Sequence, residues 1–437
     1  MKVVIMAGGK GTRISSVASD IPKPMIKIEG IPVLEREIIC LREQGFNEFI
    51  LTVSHLGEII QDYFGDGGGV SPVTRKPFGV SIKYYFEKDP LGNAGALFKL
   101  KDELTEDFLL LNADSIFDID FNRFVSYHRE KGGMVTLFTH PNSHPYDSGL
   151  IVTDENNAVM EWLSKEDERK GYYKNCVNAG LHILSPEVLK QKILTPKVDL
   201  DRQLLKPLVG TGKMFAYNSP EYVKDMGTPD RFAAVCRDYR EGIVQRKNLK
   251  NKQRAIFLDR DGTINRYVGF LRNVSEFQLL SGVAQAIKKI NDSGYLAIVV
   301  TNQPVISRGE VTWKELSRIH CKMETMLGAQ GAYLDGIYVC PHHPHRGYEG
   351  EISELKFDCD CRKPKPGMLL QAAKEFNIDL SASWMIGDSE ADVLAGKAAG
   401  CRTAYLGTEN YAQDVTTQIL DEAIDCILEV RENGRSS

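Results

Sequence analysis

The sequence predicts an α/β protein with two doubly wound domains, and two observations support this prediction. Short apolar runs such as "KVVIM", "FLLL", "AIFL" and "YLAIVV" alternate with longer amphipathic patterns such as "VLEREIICLREQG" and "GVAQAIKKINDSG". This alternation is typical of parallel sheets that are covered by helices on both faces. In addition, an apolar run followed by a glycine-containing loop occurs twice, as "MKVVIMAGGKGTR" from Met1 and as "AIFLDRDGTINR" from Ala255.

The composition is that of an ordinary globular protein and excludes some classes of function. The 437 residues are 42% hydrophobic and 26% charged, with a net charge of −5, so we expect neither nucleic acid nor a membrane surface as a partner. No apolar run approaches the ~20 residues that span a bilayer, and the N-terminus lacks the pattern of a signal peptide. These features and the nine cysteines, expected to be reduced, predict a cytoplasmic location and leave the oligomeric state open.

A basic stretch divides the chain. The run "RKNLKNKQR", residues 246–254, contains five basic residues and no acid, and it precedes the strand-like "AIFL". A solvated linker is the expected structure for such a run. The predicted domains are therefore residues 1–245 and residues 255–437. In open parallel sheets ligands bind beyond the carboxyl ends of the strands, so candidate site residues should follow the apolar runs.

In the first half, glycines and cations follow the first apolar run. The segment "AGGKGTR" contains Gly8, Gly9 and Gly11, whose backbone can approach phosphate oxygens, and the guanidinium of Arg13. A plain structural turn would also account for these glycines. Lys23 lies between two prolines in "SDIPKPM", a stiff loop that would hold its ammonium group in one place.

Two carboxylates in this half suit a magnesium site. Asp114 ends the apolar run in "FLLLNADS", and Asp225 lies in the turn-rich segment "YVKDMGTPDR". Either acid alone could be a turn or helix-cap residue. Together with the cations and the glycine-rich loops, including "PLGNAGAL", they suit Mg²⁺-assisted attack at a nucleotide phosphate.

These segments resemble the sugar-1-phosphate nucleotidyltransferase family, whose motifs match "GGKGTR", "PKPM", "LGNAGAL", "NADS", "NAGLHIL" and "DMGTP" in this order. The segment "SVASDIPKPM" is most similar to the guanylyltransferases that act on heptose or mannose 1-phosphate. The resemblance implies a Rossmann-like domain in which a sugar phosphate attacks the α-phosphorus of GTP and pyrophosphate leaves. It implies catalytic roles for Arg13 and Lys23 and Mg²⁺ binding by Asp114 and Asp225. The implied nucleotide or sugar contacts are Gly8, Gly9, Gly11, Thr12, Gly92, Asn93, Lys165, Asn178 and Gly180.

In the second half, acids, amides and cations follow the apolar runs or lie between them. These residues are Asp259, Asp261, Thr301, Asn302, Gln303, Arg362, Lys363 and Asp388. The runs that precede them are "AIFL", "YLAIVV" and "SWMIG", so three strands would deliver polar groups to one edge of a sheet. Acids around Mg²⁺, with cations and neutral donors for phosphate, are typical of a phosphoryl-transfer site.

The pattern DxDGT, followed by TN, K and GD segments, resembles the haloacid-dehalogenase-like phosphatases from about residue 254 to residue 407. The resemblance implies that Asp259 is the nucleophile and forms an aspartyl-phosphate, while Asp261 protonates the leaving alkoxide and then activates water. Mg²⁺ would lie between Asp259, the main-chain carbonyl of Asp261, and Asp388. The phosphate would be held by Thr301, Asn302, Gln303, Arg362 and Lys363.

Three cysteines and a histidine in this half have the spacing of a zinc site. Cys-x-His and Cys-x-Cys pairs are separated by sixteen residues and supply three sulfurs and one imidazole, a closed set typical of structural zinc. Ordinary buried thiols are the other interpretation, and His343 or His345 could replace the first histidine. The adjacent Arg362 and Lys363 favour zinc, since the metal would anchor the loop that presents these cations. The candidate ligands are Cys340, His342, Cys359 and Cys361.

This zinc loop resembles those of phosphatases for histidinol phosphate and for heptose 1,7-bisphosphate, and "CPHHP" with "CDCRKPKPGML" is more similar to the heptose enzymes. The two halves would then catalyse consecutive steps. Removal of the 7-phosphate would leave heptose 1-phosphate, which the first half would convert with GTP to GDP-heptose. Two alternatives remain. One is a mannose or hexose transferase fused to a phosphatase of other specificity, and the other is a first half that only binds sugar nucleotides in a regulatory role.

Overall fold

The computed structural model describes residues 1–8, 21–89, 91–113, 115–166, 168–191, 195 and 197–433, and the chain divides into two compact units. The first unit comprises Met1–His140, Ile151–Leu163 and Asn178–Asn248. The second comprises Pro141–Leu150, Ser164–Val177 and Leu249–Ser437. Two segments of the N-terminal half therefore belong to the second unit, and the main junction lies within the basic stretch 246–254.

A nine-stranded mixed sheet forms the centre of the first unit, with two small two-stranded sheets beside it. The strands are β1 (Val3–Met6), β2 (Lys27–Ile28), β3 (Ile31–Pro32), β4 (Glu48–Val53), β5 (Ser81–Phe86), β6 (Phe108–Asn112), β7 (Ser115–Asp118), β8 (Val135–His140), β9 (Leu150–Thr153), β10 (Val159–Leu163), β11 (Val177–Leu184), β12 (Met214–Asn218) and β13 (Tyr222–Asp225). The helices are α1 (Val33–Arg42), α2 (Gly57–Phe64), α3 (Gly95–Lys99), α4 (Phe121–Lys131), α5 (Pro229–Arg240) and α6 (Ile243–Arg246).

The strand order of the large sheet is β10-β9-β11-β6-β1-β4-β5, with β8 pairing with β11 and β12. β1 pairs in parallel with β4 and with β6, and β4 pairs in parallel with β5. β11 pairs antiparallel with β6, so the sheet is mixed rather than wholly parallel. The chain runs outward from β1 to β5 and returns at β6 on the other side of β1. The carboxyl ends of β1 and β6 therefore form the switch point, where α/β proteins bind ligands.

A six-stranded parallel sheet with helices forms the second unit. The strands are β14 (Ala255–Leu258), β15 (Leu296–Asn302), β16 (Gly336–Cys340), β17 (Trp384–Gly387), β18 (Arg402–Leu406) and β19 (Val415–Thr417). The helices are α7 (Val283–Ser293), α8 (Pro304–Ser307), α9 (Trp313–Gly328), α10 (Gly367–Phe376), α11 (Glu390–Ala399) and α12 (Leu420–Asn433). The order β16-β15-β14-β17-β18-β19 is that of a doubly wound sheet, with the switch point between β14 and β17.

Burial explains why β14, a central strand of the second sheet, is wholly apolar in sequence. All four residues of β14 are 0% exposed, because helices cover both faces of a doubly wound sheet. The predicted α/β fold with two doubly wound sheets is confirmed. None of the described helices is long and apolar enough to cross a membrane.

Helix α9 illustrates how local sequence fixes an element that reaches the site. It begins at Trp313 behind a capping box, in which Thr312 Oγ1 accepts from the backbone N–H of Glu315 and the Glu315 carboxylate accepts from the N–H of Thr312. The apolar residues of its buried face recur every three or four positions, the spacing of one helical face. They are Leu316, Ile319, Met323 and Leu327.

The basic stretch 246–254 is less solvated than its composition predicts. Lys247, Asn248 and Leu249 are buried. Within the first unit, the side-chain amide of Asn248 donates to Asp118 at 2.6 Å. Within the second, the carbonyl of Leu249 accepts from the amide of Asn377 at 2.9 Å. These polar groups can be buried because they are hydrogen-bonded.

Candidate active sites

The second unit places its predicted acids at the switch point of the sheet. Asp259 and Asp261 follow β14, and Asp388 follows β17, the strand that pairs with β14 in parallel. The carboxyl ends of parallel neighbours lie at the same sheet edge, so these three residues approach one another although 127 residues separate Asp261 from Asp388. This is the edge at which the sequence predicts the phosphoryl-transfer site.

A buried ammonium group organises this edge. Lys363 Nζ donates to Asp259 Oδ1 at 2.6 Å, to Asp392 Oδ1 at 2.6 Å and to the carbonyl of Val300 at 2.8 Å. Lys363 is only 4% exposed, so its charge interacts with these acids with little screening by water. Burial alone would lower its pKa, but Asp259 and Asp392 outweigh that effect and raise it. The lysine is therefore held in the charged form against the predicted nucleophile.

Three acids at this edge could hold a cation. Asp259, Asp388 and Asp392 each place one carboxylate oxygen within 4.8 Å of the others. Burial raises the pKa of Asp259 to about 7, although Lys363 opposes the shift, and burial with the nearby Asp392 raises the pKa of Asp388 to about 6. Burial disfavours the ionised forms of these carboxylates. The site therefore fits a hard divalent cation such as Mg²⁺, because the cation would stabilise those ionised forms.

The backbone after β14 passes directly beside this acid group. Gly262 adopts φ +93°, and a Cβ atom at this position would lie 1.9 Å from Asp388 Oδ2. Only glycine fits so close an approach. The geometry is compatible with the predicted use of the Asp261 main-chain carbonyl as a ligand, since residues 261 and 262 share that peptide.

The carboxylate of Asp261 is not part of the acid group. Its oxygens accept hydrogen bonds from the guanidinium of Arg260, from the amide of Asn265 at 3.0 Å and from the amide of Gln303 at 2.7 Å. Burial would raise the pKa of Asp261, but the Arg260 charge and these hydrogen bonds outweigh it and hold the pKa below its usual value. Asp261 is thus fixed as a carboxylate beside Asp259, where it could accept a proton.

The other predicted phosphate-binding residues support the loops around this edge. Asn302 accepts from the backbone N–H of Lys363 and donates to its carbonyl, both at 3.1 Å. Gln303 donates to Thr301 Oγ1 at 2.8 Å as well as to Asp261. Arg362 donates to the carbonyl of His342 at 3.2 Å. Asn302 therefore positions Lys363, and the phosphate contacts of these residues remain a prediction.

The four candidate zinc ligands lie together at the end of β16 and in the loop before α10. The three sulfurs are 3.2 to 3.5 Å apart, and His342 Nδ1 lies 3.2 Å from Cys361 Sγ and 3.7 Å from Cys340 Sγ. A tetrahedral site with zinc–sulfur bonds of about 2.3 Å has ligand separations close to 3.8 Å. The hydrogen bond between Cys361 and Cys340 lowers the pKa of Cys361 to about 5, which favours the thiolate that zinc needs.

The structure distinguishes among the three histidines of the zinc loop. His342 faces the sulfurs, whereas His343 Nδ1 accepts from the backbone N–H of His345 at 3.2 Å. His342 is therefore the imidazole placed to complete the set.

In the first unit, strand pairing fixes the backbone position of one predicted magnesium ligand, Asp225. β13 pairs antiparallel with β7, and Asp225 lies opposite Ser115, the residue after Asp114. Asp114 itself lies outside the described residues. Asp225 accepts from the N–H of Gly227 and from Arg231, both at 2.8 Å. Burial raises its pKa, but these donors and the charge of nearby Lys23 outweigh burial and lower it, as a metal-binding carboxylate requires.

The glycine-rich loop of the first unit is described only at its beginning. Gly8 follows β1 at the switch point, and its carbonyl accepts from Ser54 Oγ at 2.5 Å. Lys23 begins a short 3₁₀ turn, Lys23–Met25, between its two prolines. Four residues predicted in this loop lie outside the described residues, namely Gly9, Gly11, Thr12 and Arg13.

The predicted base and sugar residues fall in two groups of the first unit and one position of the second. Gly92 and Asn93 pack against residues 198–200, where Asn93 Oδ1 accepts from the N–H of Leu200 at 2.7 Å. On β11, Asn178 Oδ1 lies 3.3 Å from the N–H of Gly180, which packs against β6. The remaining position, Lys165, is exposed and belongs to the second unit.

Comparison with known proteins identifies a family for each part of the chain. The model of the nucleotidyl transferase family matches residues 2–242, and a HAD-hydrolase-like model matches residues 360–429. The D-glycero-β-D-manno-heptose-1,7-bisphosphate 7-phosphatase of Pasteurella multocida is 46% identical over 154 residues, which are 35% of this chain and 81% of that protein. The chain belongs to the nucleotidyl transferases and to these 7-phosphatases.

Two further proteins are similar to parts of the chain. The UTP–glucose-1-phosphate uridylyltransferase of Synechocystis sp. is 34% identical over 269 residues, or 58% of this chain and 66% of that protein. A solved D,D-heptose 1,7-bisphosphate phosphatase from B. bronchiseptica, complexed with magnesium and phosphate, is 30% identical; the match covers 41% of this chain and 99% of that one, with a TM-score of 0.36. The protein is a bifunctional enzyme, and the two predicted reaction types, nucleotidyl transfer and phosphate-ester hydrolysis, are confirmed.

The 7-phosphatase unit contains one acid that the sequence analysis missed. Asp392 is 1% exposed, contacts Lys363 and accepts from both the N–H and the hydroxyl of Ser389. It follows Asp388 by four residues in "GDSEAD", which places it in the first turn of α11. An acid there is usually an ordinary helix-capping residue, so only its spacing from Asp388 could have indicated this role.

Proposed function

We propose that this enzyme makes a nucleotide-activated heptose in two consecutive steps. The 7-phosphatase part removes the 7-phosphate of heptose 1,7-bisphosphate, and the nucleotidyl transferase part transfers GMP from GTP to heptose 1-phosphate, giving GDP-heptose and pyrophosphate. The observation that carries the proposal is the set of Asp259, Lys363 and Asp388 at one sheet edge, on a chain that also belongs to the nucleotidyl transferases. Removal of the 1-phosphate would destroy the transferase substrate, whereas removal of the 7-phosphate would supply it.

The phosphatase reaction proceeds through Asp259 and Asp261. Asp259 bonds to the phosphorus of the 7-phosphate, and the bond from phosphorus to the sugar oxygen breaks as that oxygen takes a proton from Asp261, which enters this step in its protonated form and leaves it as the carboxylate. Water then bonds to phosphorus, Asp261 takes its proton, and the bond to Asp259 breaks to release inorganic phosphate. Lys363, 2.6 Å from Asp259, offsets the negative charge that builds up where a carboxylate meets a phosphate.

Mg²⁺ is the cofactor that suits both sites. When bound, it would offset charge between an anionic substrate and the acids that face it. In the phosphatase, Asp259, Asp388 and the carbonyl of Asp261 would hold it. In the transferase, Asp225 would do so together with Asp114, and the pairing of β13 with β7 places Asp225 opposite Ser115.

The transferase reaction depends on charge and position rather than on a covalent intermediate. Lys23 and Arg13 would offset the charge of the triphosphate, and backbone N–H groups of the glycine-rich loop that begins at Gly8 would bind the phosphates. An oxygen of the sugar phosphate bonds to the α-phosphorus of GTP, and the bond from that phosphorus to pyrophosphate breaks. Lys23 contributes to the low pKa of Asp225, which supports their presence at one site.

The choice of GTP and heptose rests on similarity. The segment "SVASDIPKPM" resembles guanylyltransferases that act on heptose or mannose 1-phosphate, and the 7-phosphatase relatives are named for heptose 1,7-bisphosphate. UTP is the other nucleotide to test, because one relative is named as a uridylyltransferase.

We further propose a structural zinc ion held by four residues of the phosphatase unit, and a cytoplasmic location. The zinc would fix the loop that presents Arg362 and Lys363. The nine cysteines form no disulfide among the described residues, which suits a reducing compartment. The four ligands would be Cys340, His342, Cys359 and Cys361.

Product analysis with the full chain tests this proposal. With Mg²⁺ and heptose 1,7-bisphosphate alone, phosphorus NMR should show one inorganic phosphate and a product that retains its anomeric phosphate. In separate reactions, GTP, UTP, ATP, CTP and dTTP are supplied with heptose 1-phosphate or mannose 1-phosphate, and pyrophosphate is measured. GTP with heptose 1-phosphate should react fastest. Loss of the anomeric phosphate, or a preference for mannose 1-phosphate, would overturn the assigned substrates.

A further inference from the structure

Arg260, between the two acids of DxDGT, is a charged residue with no exposed surface. It is 0% exposed and is among the largest fully buried side chains of the described residues. Its guanidinium donates to both oxygens of Asp261, at 2.9 Å to Oδ1 and 2.7 Å to Oδ2. A buried guanidinium is stable only when its other donors also have partners. The group that accepts a hydrogen bond from the other side of the guanidinium therefore limits the orientations that the Arg260 side chain can adopt.

That group is His320 on α9. Arg260 NH1 lies 3.2 Å from His320 Nε2, on the side of the guanidinium away from the Asp261 oxygens. Burial, together with the Arg260 charge, lowers the pKa of His320 to about 3, so the ring is neutral and Nε2 can accept this hydrogen bond. His320 itself is half-buried and follows Ile319, a residue of the buried face of the helix.

The contacts from His320 through Arg260 end at the carboxylate of Asp261, the proposed acid and base of the reaction. Besides Arg260, Asp261 accepts from Asn265 and from Gln303. Every contact is donated to Asp261, so the arrangement stabilises its ionised form. That form takes a proton, and the step that needs it is the attack of water on the aspartyl-phosphate.

We propose that His320, acting through Arg260, is a positioning residue that holds the Asp261 carboxylate ready to accept the proton of the attacking water. The inference rests on the proposed role of Asp261. In this step the water oxygen bonds to phosphorus, the bond between phosphorus and Asp259 breaks, and the water proton passes to Asp261. Without His320, the guanidinium loses the acceptor that fixes its plane. Breakdown of the aspartyl-phosphate should then slow more than its formation.

Pre-steady-state kinetics with p-nitrophenyl phosphate test this inference in the full chain. Nitrophenolate is a good leaving group, so it reports formation of the aspartyl-phosphate with little need for a general acid. His320→Leu should release about one nitrophenolate per site in a rapid burst and then turn over about 10-fold more slowly than the wild type. Intact-mass analysis after acid quench should find the phosphorylated chain. His320→Gln, whose amide oxygen can accept from Arg260, should restore most of the turnover and remove the burst.

Two further variants complete the design. Arg318→Gln changes an exposed cation on the same helix and should leave the kinetics unchanged. Arg260→Lys keeps the charge but cannot contact Asp261 and His320 together, so it should show the burst even if His320→Leu fails to fold. A proportional loss of burst rate and turnover in both His320→Leu and Arg260→Lys would overturn the inference, as would His320→Gln behaving like His320→Leu.

The outcome is independent of the assigned sugar. If the wild type hydrolyses p-nitrophenyl phosphate but leaves heptose 1,7-bisphosphate unchanged, the proposed substrate is wrong while the burst experiment still decides the role of His320. If Asp261→Asn retains wild-type turnover, the proposed role of Asp261 fails, and the inference fails with it.

Discussion

Asp225 has two partners that fix its orientation and keep it ionised. The N–H of Gly227 holds one oxygen and the guanidinium of Arg231 holds the other. Both partners lie on the chain segment after β13, so the side chain is fixed by local structure. Pairing with Ser115 then fixes the backbone position of Asp225 at the end of β13. Asp225 is therefore the proposed metal ligand, and Arg231 holds its carboxylate in position.

Replacement of Asp225 by alanine should abolish nucleotidyl transfer. The loss should be about 100-fold or more in kcat, because charge neutralisation supplies most of the catalysis in such a reaction. Phosphate release by the second unit should be unchanged. Asp230→Ala, which removes an exposed acid five residues further on, is the matched control for pyrophosphate release. Normal transfer by Asp225→Ala would show that another residue binds the metal.

Single residues differ in how well the sequence predicts them. Asp259 and Asp388 could be found because each directly follows a buried strand, where α/β folds place chemistry. The phosphate contact of Asn302 stays a prediction, and the structure shows in addition that its side-chain amide holds the backbone of Lys363. The sequence does not reveal such a contact, because 61 residues separate the two partners and the loop between them sets their distance.

The zinc loop, between β16 and α10, is the element that connects the proposed zinc ligands to the predicted phosphate-binding cations. It places four ligands at zinc-like distances and continues directly into Arg362 and Lys363. The spacing of the cysteines and of His342 predicts this set of candidate ligands. Spacing alone does not separate His342 from its neighbours, because that choice depends on which ring faces the sulfurs.

Cys359→Ser should reduce zinc content and impair only the phosphatase. Elemental analysis should find about one zinc per wild-type chain and much less in the variant. We expect phosphatase kcat to fall about 10-fold or more, since outer supports of this kind are worth 10- to 100-fold, while nucleotidyl transfer is retained. Cys426→Ser changes a single cysteine outside the cluster and serves as the control. Absence of zinc from wild-type protein purified without chelators would contradict the assignment.

Helix α9 carries a buried acid whose titration should be visible in stability. Burial raises the pKa of Glu324 to about 7, although the charge of Lys174 and the N–H of Asn175 oppose the shift. A raised folded-state pKa means that the folded form binds the proton more tightly. The contribution of Glu324 to the free energy of unfolding, about 3 kcal/mol, is therefore fully present below about pH 4.5 and is lost as the pH rises through about 7.

Glu324→Gln should remove this pH dependence. The variant cannot ionise, so its unfolding transition should lie several degrees above that of the wild type at pH 8 and near it at pH 5. Calorimetry of the full chain measures the unfolding temperatures at pH 5 and at pH 8. Glu349→Gln, which changes an exposed acid of the same unit, should alter neither temperature. A wild-type transition that does not fall between pH 5 and pH 8 would contradict the assigned titration.

For the molecule as a whole, the two-unit architecture was predictable but the assignment of every segment was not. Two doubly wound sheets are predicted by the apolar run that is twice followed by a glycine-containing loop, and by the alternation of apolar runs with amphipathic patterns. Residues 141–150 and 164–177 nevertheless belong to the second unit. Contacts such as Tyr173 with Thr325, in which the N–H of Tyr173 donates to the hydroxyl at 2.9 Å, fix this membership. They join residues 152 apart, which no local pattern reveals.

The union of two enzymes in one chain has a chemical reason if their reactions are consecutive. The product of the phosphatase would be the substrate of the transferase, and both would act on the same anomer. The order is then fixed, because the transferase would need the 1-phosphate that the phosphatase leaves intact. This consecutive order is the central claim of the account.

The most direct test compares the wild type with Asp259→Asn, which keeps the shape of the side chain but removes the nucleophilic carboxylate. Each protein is given GTP and Mg²⁺ with either heptose 1,7-bisphosphate or heptose 1-phosphate, and GDP-heptose and inorganic phosphate are measured. The wild type should convert both sugars and release one inorganic phosphate from the bisphosphate. Asp259→Asn should convert only heptose 1-phosphate. Formation of GDP-heptose from the bisphosphate by Asp259→Asn, or failure of both proteins to use heptose 1-phosphate, would contradict the account.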